Sequence, residues 1–180
     1  ENFEQQIVVK AQAGNPPDIA VVPQPGLLAT LVSTGKVVEA PAQVVDNVDK
    51  YWSKDWKHFG TVNGRFYAAP LGASVKSLVW YSPKMFADKG YQVPTSWNDM
   101  IKLSDQIAGS DAVKPWCAGI ASGSTTGWPV TDWLEEVVLR SAGPDVYDQW
   151  VAGTVTFTDP RIATALADVG AILKNPKYVN

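Results

Sequence analysis

The chain is poor in the residues that most often carry chemistry. Its 180 residues include one cysteine, Cys117, and one histidine, His58. A lone cysteine excludes an intrachain disulfide and a cysteine-based zinc site, and a lone histidine excludes a histidine metal cluster. His58 has no nucleophile-elbow motif to serve, and neither GxxxxGK[ST] nor GxGxxG occurs, so nothing indicates a phosphate-cradling loop. Every apolar run falls well short of a membrane span. Charge is balanced as well: 15 basic and 18 acidic side chains leave a net −3, which gives no electrostatic footing for nucleic acid or acidic membranes. The chain shows neither an internal repeat nor a low-complexity segment.

What the chain does have is apolar bulk. Hydrophobic residues make up 46%, enough to predict a packed core rather than disorder. Eight tryptophans is a high share. Most of them are expected in the core, with one or two left for a stacking surface.

The order of elements reads as α/β. Residues 1–13 read as a helix with Phe3, Ile7 and Ala11 on one face, ended by Gly14 and the prolines beyond it. Residues 18–22 (DIAVV) are a short apolar run, consistent with a buried parallel strand. A loop, 23–26, and a helix, 27–33, follow. One or two helical turns are expected within 42–59, with a solvated charged face. Asn63-Gly64 between apolar flanks predicts a type I′ hairpin. Residues 77–81 (SLVWY) read as another strand, after small residues suited to a hinge. Ser82-Pro83 and Ser96 through Asp99 mark two helix starts. A short helix is expected over 145–151, a strand over 154–157, and a last helix after Asp159-Pro160 with Ile162, Leu166, Val169 and Leu173 inward.

The organising stretch is 114–140. It reads as a buried strand (116–120), a loop of small polar residues (121–127), and a helix opening near Trp128 or Thr131. A strand that runs through small residues into a helix is where open α/β sheets bind ligands. Trp128, Asp132 and Trp133 stand at that opening. Flat aromatic faces with one acceptor carboxylate suit a sugar, which offers apolar C–H faces and many hydroxyls. Lys76, a lone cation in a small, apolar segment, is placed either to hydrogen-bond a ligand hydroxyl or simply to face solvent. Asp132, Glu135 and Glu136 share one helix face, so a hydrolase using Asp132 and Glu136 is the rival reading. Against it, first-turn acids favour the helix dipole, and Glu136 lies four residues before Arg140.

Several motifs resemble those of one family. AGNPPDIA at 13–20 resembles a segment of the extracellular solute-binding proteins of sugar ABC transporters. GASVKSLVWY at 72–81 is similar to the crossover between their two lobes, and PTSW at 94–97 to the helix start that follows it. GWPVTDW at 127–133, with LRSAG at 139–143, looks most like the α-glucoside-type branch. The resemblance implies a type II periplasmic-binding fold in which a sugar is held between two lobes and handed to membrane permease subunits. It implies no catalysis and no cofactor. It also implies an extracellular or periplasmic location, with a lipid anchor as one option for a full-length form. By position it implies substrate contacts from Gln24 and Pro25, from Ser74 and Lys76 at the crossover, and from Ser122, Ser124, Trp128 and Asp132. The family's chains are longer, so this one is expected to be a fragment: a partial first lobe at 1–72, a crossover at 73–76 and a partial second lobe at 77–180. Exposed sheet edges would then give a surface for self-association, and a fragment without ligand competence is the third reading.

Overall fold

The structure, a computed structural model, describes residues 3–110 and 113–180 apart from the Ser124 side chain. It divides into two compact units, Glu1–Ser74 and Val75–Asn180.

In the first unit, α1 (Phe3–Gln12) packs on α2 (Pro25–Ser33). Ile7 and Ala11, four residues apart on α1, meet Leu27 and Leu31, four apart on α2, and Val8, Val22 and Val37 close the cluster. Phe3, expected on the same face, is exposed. The region 42–59 forms two helices rather than one or two turns, α3 (Ala42–Tyr51) and α4 (Lys54–Phe59). Ser53 separates them, its Oγ accepting the Trp56 N–H at 3.4 Å as an N-cap. His58 is exposed, as its sequence surroundings imply.

Gly60 ends α4 where two backbones meet. A Cβ there would lie 1.9 Å from the Ala68 carbonyl oxygen, while the Gly60 carbonyl accepts N–H groups from Tyr67 (2.9 Å) and Ala68 (3.3 Å). No other residue fits that approach. The hairpin β1 (Thr61–Val62) and β2 (Arg65–Phe66) follows, with Thr61 opposite Phe66. Asn63 (φ 51°) and Gly64 (φ 78°) both take the left-handed backbone that a type I′ turn requires.

In the second unit, α5 (Pro83–Lys89) is capped by Ser82 and closed by left-handed Gly90. At the start of α6 (Trp97–Ser110), Ser96 Oγ accepts the Asp99 N–H at 3.1 Å and its hydroxyl donates to the Asp99 carboxylate at 2.7 Å. Ser104 is buried on α6. It accepts the Trp116 indole N–H at 2.8 Å and donates to the Met100 carbonyl at 2.8 Å. The Trp116 N–H donates to the Tyr178 carbonyl at 3.1 Å, the Lys114 ammonium reaches the Pro176 carbonyl, and the buried Tyr178 hydroxyl donates to Asp105 at 2.8 Å. Burial first, then the hydrogen bond to Asp105 and its charge, push the Tyr178 phenol up to about 12.

The main core lies where α7 (Trp128–Ala142), α8 (Pro144–Val151) and α9 (Pro160–Leu173) meet. Leu134, Val138, Val146, Val155, Ile162 and Ala165 form it, with Trp150 and Tyr147 against its flank. Asp159 caps α9, its carboxylate accepting the Arg161 N–H at 2.9 Å and gripping the Arg161 guanidinium. That grip holds the carboxyl well below the usual range, at about 2. The buried row of α9 is Ile162, Ala165, Val169 and Ile172 rather than the row expected from the sequence, and Leu166 is 48% exposed. The helix is rotated so that small Ala165 faces α7, which allows close approach.

Four expected strands do not form. Residues 18–22, 77–81, 116–120 and 154–157 have no ladder, and among the described residues the only sheet is the two-stranded hairpin. Residues 154–157 form a turn that delivers Val155 to the core. In the other three the apolar side chains are largely open: Ile19 and Trp80 are each 87% exposed and Ile120 is exposed too, while Val22 and Trp116 find packing partners. An apolar run becomes a parallel strand only when neighbours pair with it on both edges and helices cover its faces. No described segment supplies those neighbours.

Candidate functional site

The opening of α7 is built by the loop before it. Gly127, left-handed at φ 101°, is the N-cap, and its N–H donates to the Ile120 carbonyl at 3.0 Å. Residues Gly123–Thr125 form a single 3₁₀ turn that closes on itself. The Thr125 N–H donates to the Ser122 carbonyl, the Thr125 hydroxyl to Ser122 Oγ at 3.0 Å, and the Thr126 N–H to the Gly123 carbonyl. Pro129, early in the first turn, has no N–H to satisfy and suits its position. The result places Trp128 and Asp132 one helical turn apart, on the same side of α7.

Lys76 completes the group. Its ammonium lies 3.5 Å from Asp132 Oδ2 and 4.5 Å from the centre of the Trp128 ring. One cation therefore touches both an acceptor carboxylate and an aromatic face. All three remain open to solvent: the side chains of Lys76 and Asp132 are 54% and 25% exposed, and Trp128 is exposed. At such exposure the ion pair contributes about 0–1 kcal/mol and the cation–π contact about 0.5–1 kcal/mol. The ammonium is thus held lightly.

Ser77 fixes the segment that carries Lys76. It takes a left-handed backbone (φ 59°), uncommon for a residue with a side chain, and its hydroxyl donates to the Asp132 carbonyl at 3.1 Å. Reading the sequence missed Ser77. No local pattern announces a serine at positive φ, and its partner lies 55 positions away.

The other candidates stand as follows. Gln24 and Pro25 begin α2 in the first unit, where Gln24 Nε2 donates to Glu4 at 3.2 Å. Ser74 is exposed in the irregular segment that ends that unit. Ser122 is exposed and its Oγ is engaged by Thr125. The Ser124 backbone lies in the 3₁₀ turn, but its side chain is outside the described residues. Trp133 does not flank the opening. It turns to meet Trp116 edge-on, with ring centres 5.6 Å apart.

The rest of the acidic face of α7 is committed elsewhere. Glu136 is paired with Arg140 at 2.5 Å. Glu135 faces the Tyr147 hydroxyl at 3.4 Å; partial burial, then the Asp132 charge, raise its carboxyl above the ordinary value. Asp132 and Glu136 each face a cation of their own. Among the described residues no group of side chains has the makings of a metal site, and no helix is long and apolar enough to cross a membrane.

Comparison with known proteins bears on the whole chain. It is 42% identical to the alpha-glucosides-binding periplasmic protein AglE of Rhizobium meliloti, over all of this chain and 41% of that one. It is 39% identical to the osmoprotective compounds-binding protein GgtB of Synechocystis, over 99% of this chain and 42% of that one. Among solved structures, a chitin oligosaccharide binding protein matches with a TM-score of 0.71 at 23% identity, over 98% of this chain and 43% of that one. The bacterial solute receptor AcbH, described by an exclusive preference for β-D-galactopyranose, matches with a TM-score of 0.70 at 24% identity. The chain thus spans about two fifths of the length of the relatives it matches, and its fold is the corresponding part of the type II periplasmic-binding α/β fold. These proteins are described as binding proteins and a receptor, not as enzymes. The model of the bacterial extracellular solute-binding proteins matches residues 1–180, and the chain belongs to that family.

Proposed function

We propose that the chain forms part of the solute-binding component of an ABC importer. That component captures a sugar or oligosaccharide of the α-glucoside class outside the cytoplasmic membrane and delivers it to permease subunits without breaking a bond. The observation that carries this reading is the Lys76–Trp128–Asp132 group at the opening of α7. The indole face receives the C–H face of a pyranose, Asp132 accepts from its hydroxyls, and Lys76 donates to them. A relative described as binding alpha-glucosides supports the ligand class.

Within this proposal residues 1–72 belong to the first lobe, 73–76 to the crossover and 77–180 to the second lobe. Gln24, Pro25 and Ser74 are first-lobe and crossover contacts, and Ser122 and Ser124 second-lobe contacts. A lipid anchor in the full-length form and self-association of this chain through its open apolar segments belong to the same proposal.

Calorimetric titration of the full-length parent chain with maltose, trehalose and sucrose tests it. At least one should bind, and Trp128→Ala should weaken that sugar about 2- to 10-fold, the worth of one aromatic contact. Trp150→Ala, which removes a ring packed against the α7–α9 core, should leave affinity unchanged in the folded fraction. Equal losses in the two variants, or no heat at millimolar sugar, would defeat the assignment.

A further inference from the structure

The position of the Lys76 ammonium carries a second consequence. A carboxylate oxygen 3.5 Å away and an indole ring centred 4.5 Å away are the two elements that recognise an organic cation. The chain fills that place with a cation of its own. We propose that Lys76 sets ligand class at this subsite: by occupying the Trp128–Asp132 corner with a tethered ammonium it excludes free organic cations, quaternary ammonium compounds in particular, and restricts the corner to neutral, hydroxyl-bearing ligands. The inference rests on the reading that Trp128 and Asp132 form a ligand site, but not on which sugar they hold.

Three observations support it. The ammonium is tethered, because the next residue, Ser77, is hooked to the Asp132 carbonyl at 3.1 Å. The tether gives it an effective concentration at the corner on the order of millimolar, which a free cation must overcome to take its place. The corner is reachable, since Trp128 is 47% exposed and the Lys76 side chain 54% exposed. Among the described residues, the other carboxylates of the α7 acidic face are engaged by Arg140 and Tyr147, so Asp132 is the one left to meet a cation at this end. A neutral sugar needs no vacated charge: it can share the indole face and accept from Lys76 while the ion pair persists. A cation gains nothing there unless Lys76 leaves, and it then leaves a displaced ammonium beside itself.

The test uses tetramethylammonium chloride, titrated at constant ionic strength against sodium chloride and followed by tryptophan fluorescence. The unaltered chain should show no saturable change. Lys76→Met, which keeps the length of the stem and removes the charge, should show one, with at least about tenfold tighter apparent binding than the unaltered chain. Lys76→Arg should stay silent, and Lys76→Met combined with Asp132→Asn should lose the response. Lys76→Gln gives the same reading should Lys76→Met fail to fold, with circular dichroism as the check. Saturable binding to the unaltered chain, or silence in both folded neutral variants, would overturn the proposal. All of these substitutions are made in the full-length parent chain, and sugar titrations of the same proteins separate the two readings. Sugar binding with no cation response in Lys76→Met sinks this inference alone. A cation response with no sugar binding in any protein sinks the sugar assignment alone.

Discussion

Residues 77–81 and the α7–α9 core are built from similar side chains and have opposite fates. Leu78, Val79 and Trp80 lie open to solvent, whereas Val138 and Ile162 have no exposed surface at all. The difference is one of partners. A helix satisfies its own backbone hydrogen bonds and needs only an apolar stripe to pack. Three helices joined by the short breaks at Gly143 and residues 152–159 bring their stripes together within one stretch of chain. A strand must borrow its hydrogen bonds from a neighbour. Where the neighbour lies elsewhere in a longer chain, the run stays open whatever its composition. The relatives, of which this chain spans about two fifths, have the length to supply such neighbours.

The largest effect that would sharpen this contrast is in the core. Ile162→Ala should cost about 2–5 kcal/mol in urea unfolding of this chain, because the surrounding helices can fill the cavity only partly. A loss well under 1 kcal/mol would mean that the α7–α9 cluster is not packed as described. A smaller effect is expected at the edge of the same unit. The Tyr178 phenol is held neutral, its pKa pushed up to about 12 from the ordinary 10.0. The folded pKa is the raised one, so its contribution is fully present below pH 10 and is lost as pH rises through 12. Stability followed by circular dichroism should fall in that window, and Tyr178→Phe should flatten the fall. An unchanged slope would mean that the Tyr178 phenol is not held neutral by its burial and its bond to Asp105. The smallest effect is expected at the open run. Trp80→Ser should change unfolding stability by no more than about 0.5 kcal/mol, the range for surface positions, while raising the monomer fraction in sedimentation. A large loss of stability would show that Trp80 is covered in solution.

How much was legible in the sequence follows the same line. Caps and turns were readable because their partners lie within a few residues: Ser82, Ser96, Asp159 and the Asn63-Gly64 turn all stand where local chemistry puts them. The helices were found for the same reason. The strands were misread because an apolar run records a demand for pairing and not the pairing itself. The inward face of α9 was misjudged at Leu166, since periodicity gives an arc and the neighbour chooses its centre. Of the candidate site, Trp128 and Asp132 are visible from their place at the opening of a helix, and Lys76 as a lone charge among small, apolar residues. That Lys76 meets both, and that Ser77 holds it there, depends on contacts more than 50 positions apart, which no local pattern encodes.

The Ser77 hook has one more consequence. Because its hydroxyl fastens to the carbonyl of Asp132 itself, the segment bearing Lys76 and the first turn of α7 are stapled together at the very residue the ammonium faces. On the proposed sugar-binding reading, the disorder that would be given up in assembling Lys76, Trp128 and Asp132 is surrendered during folding rather than on binding.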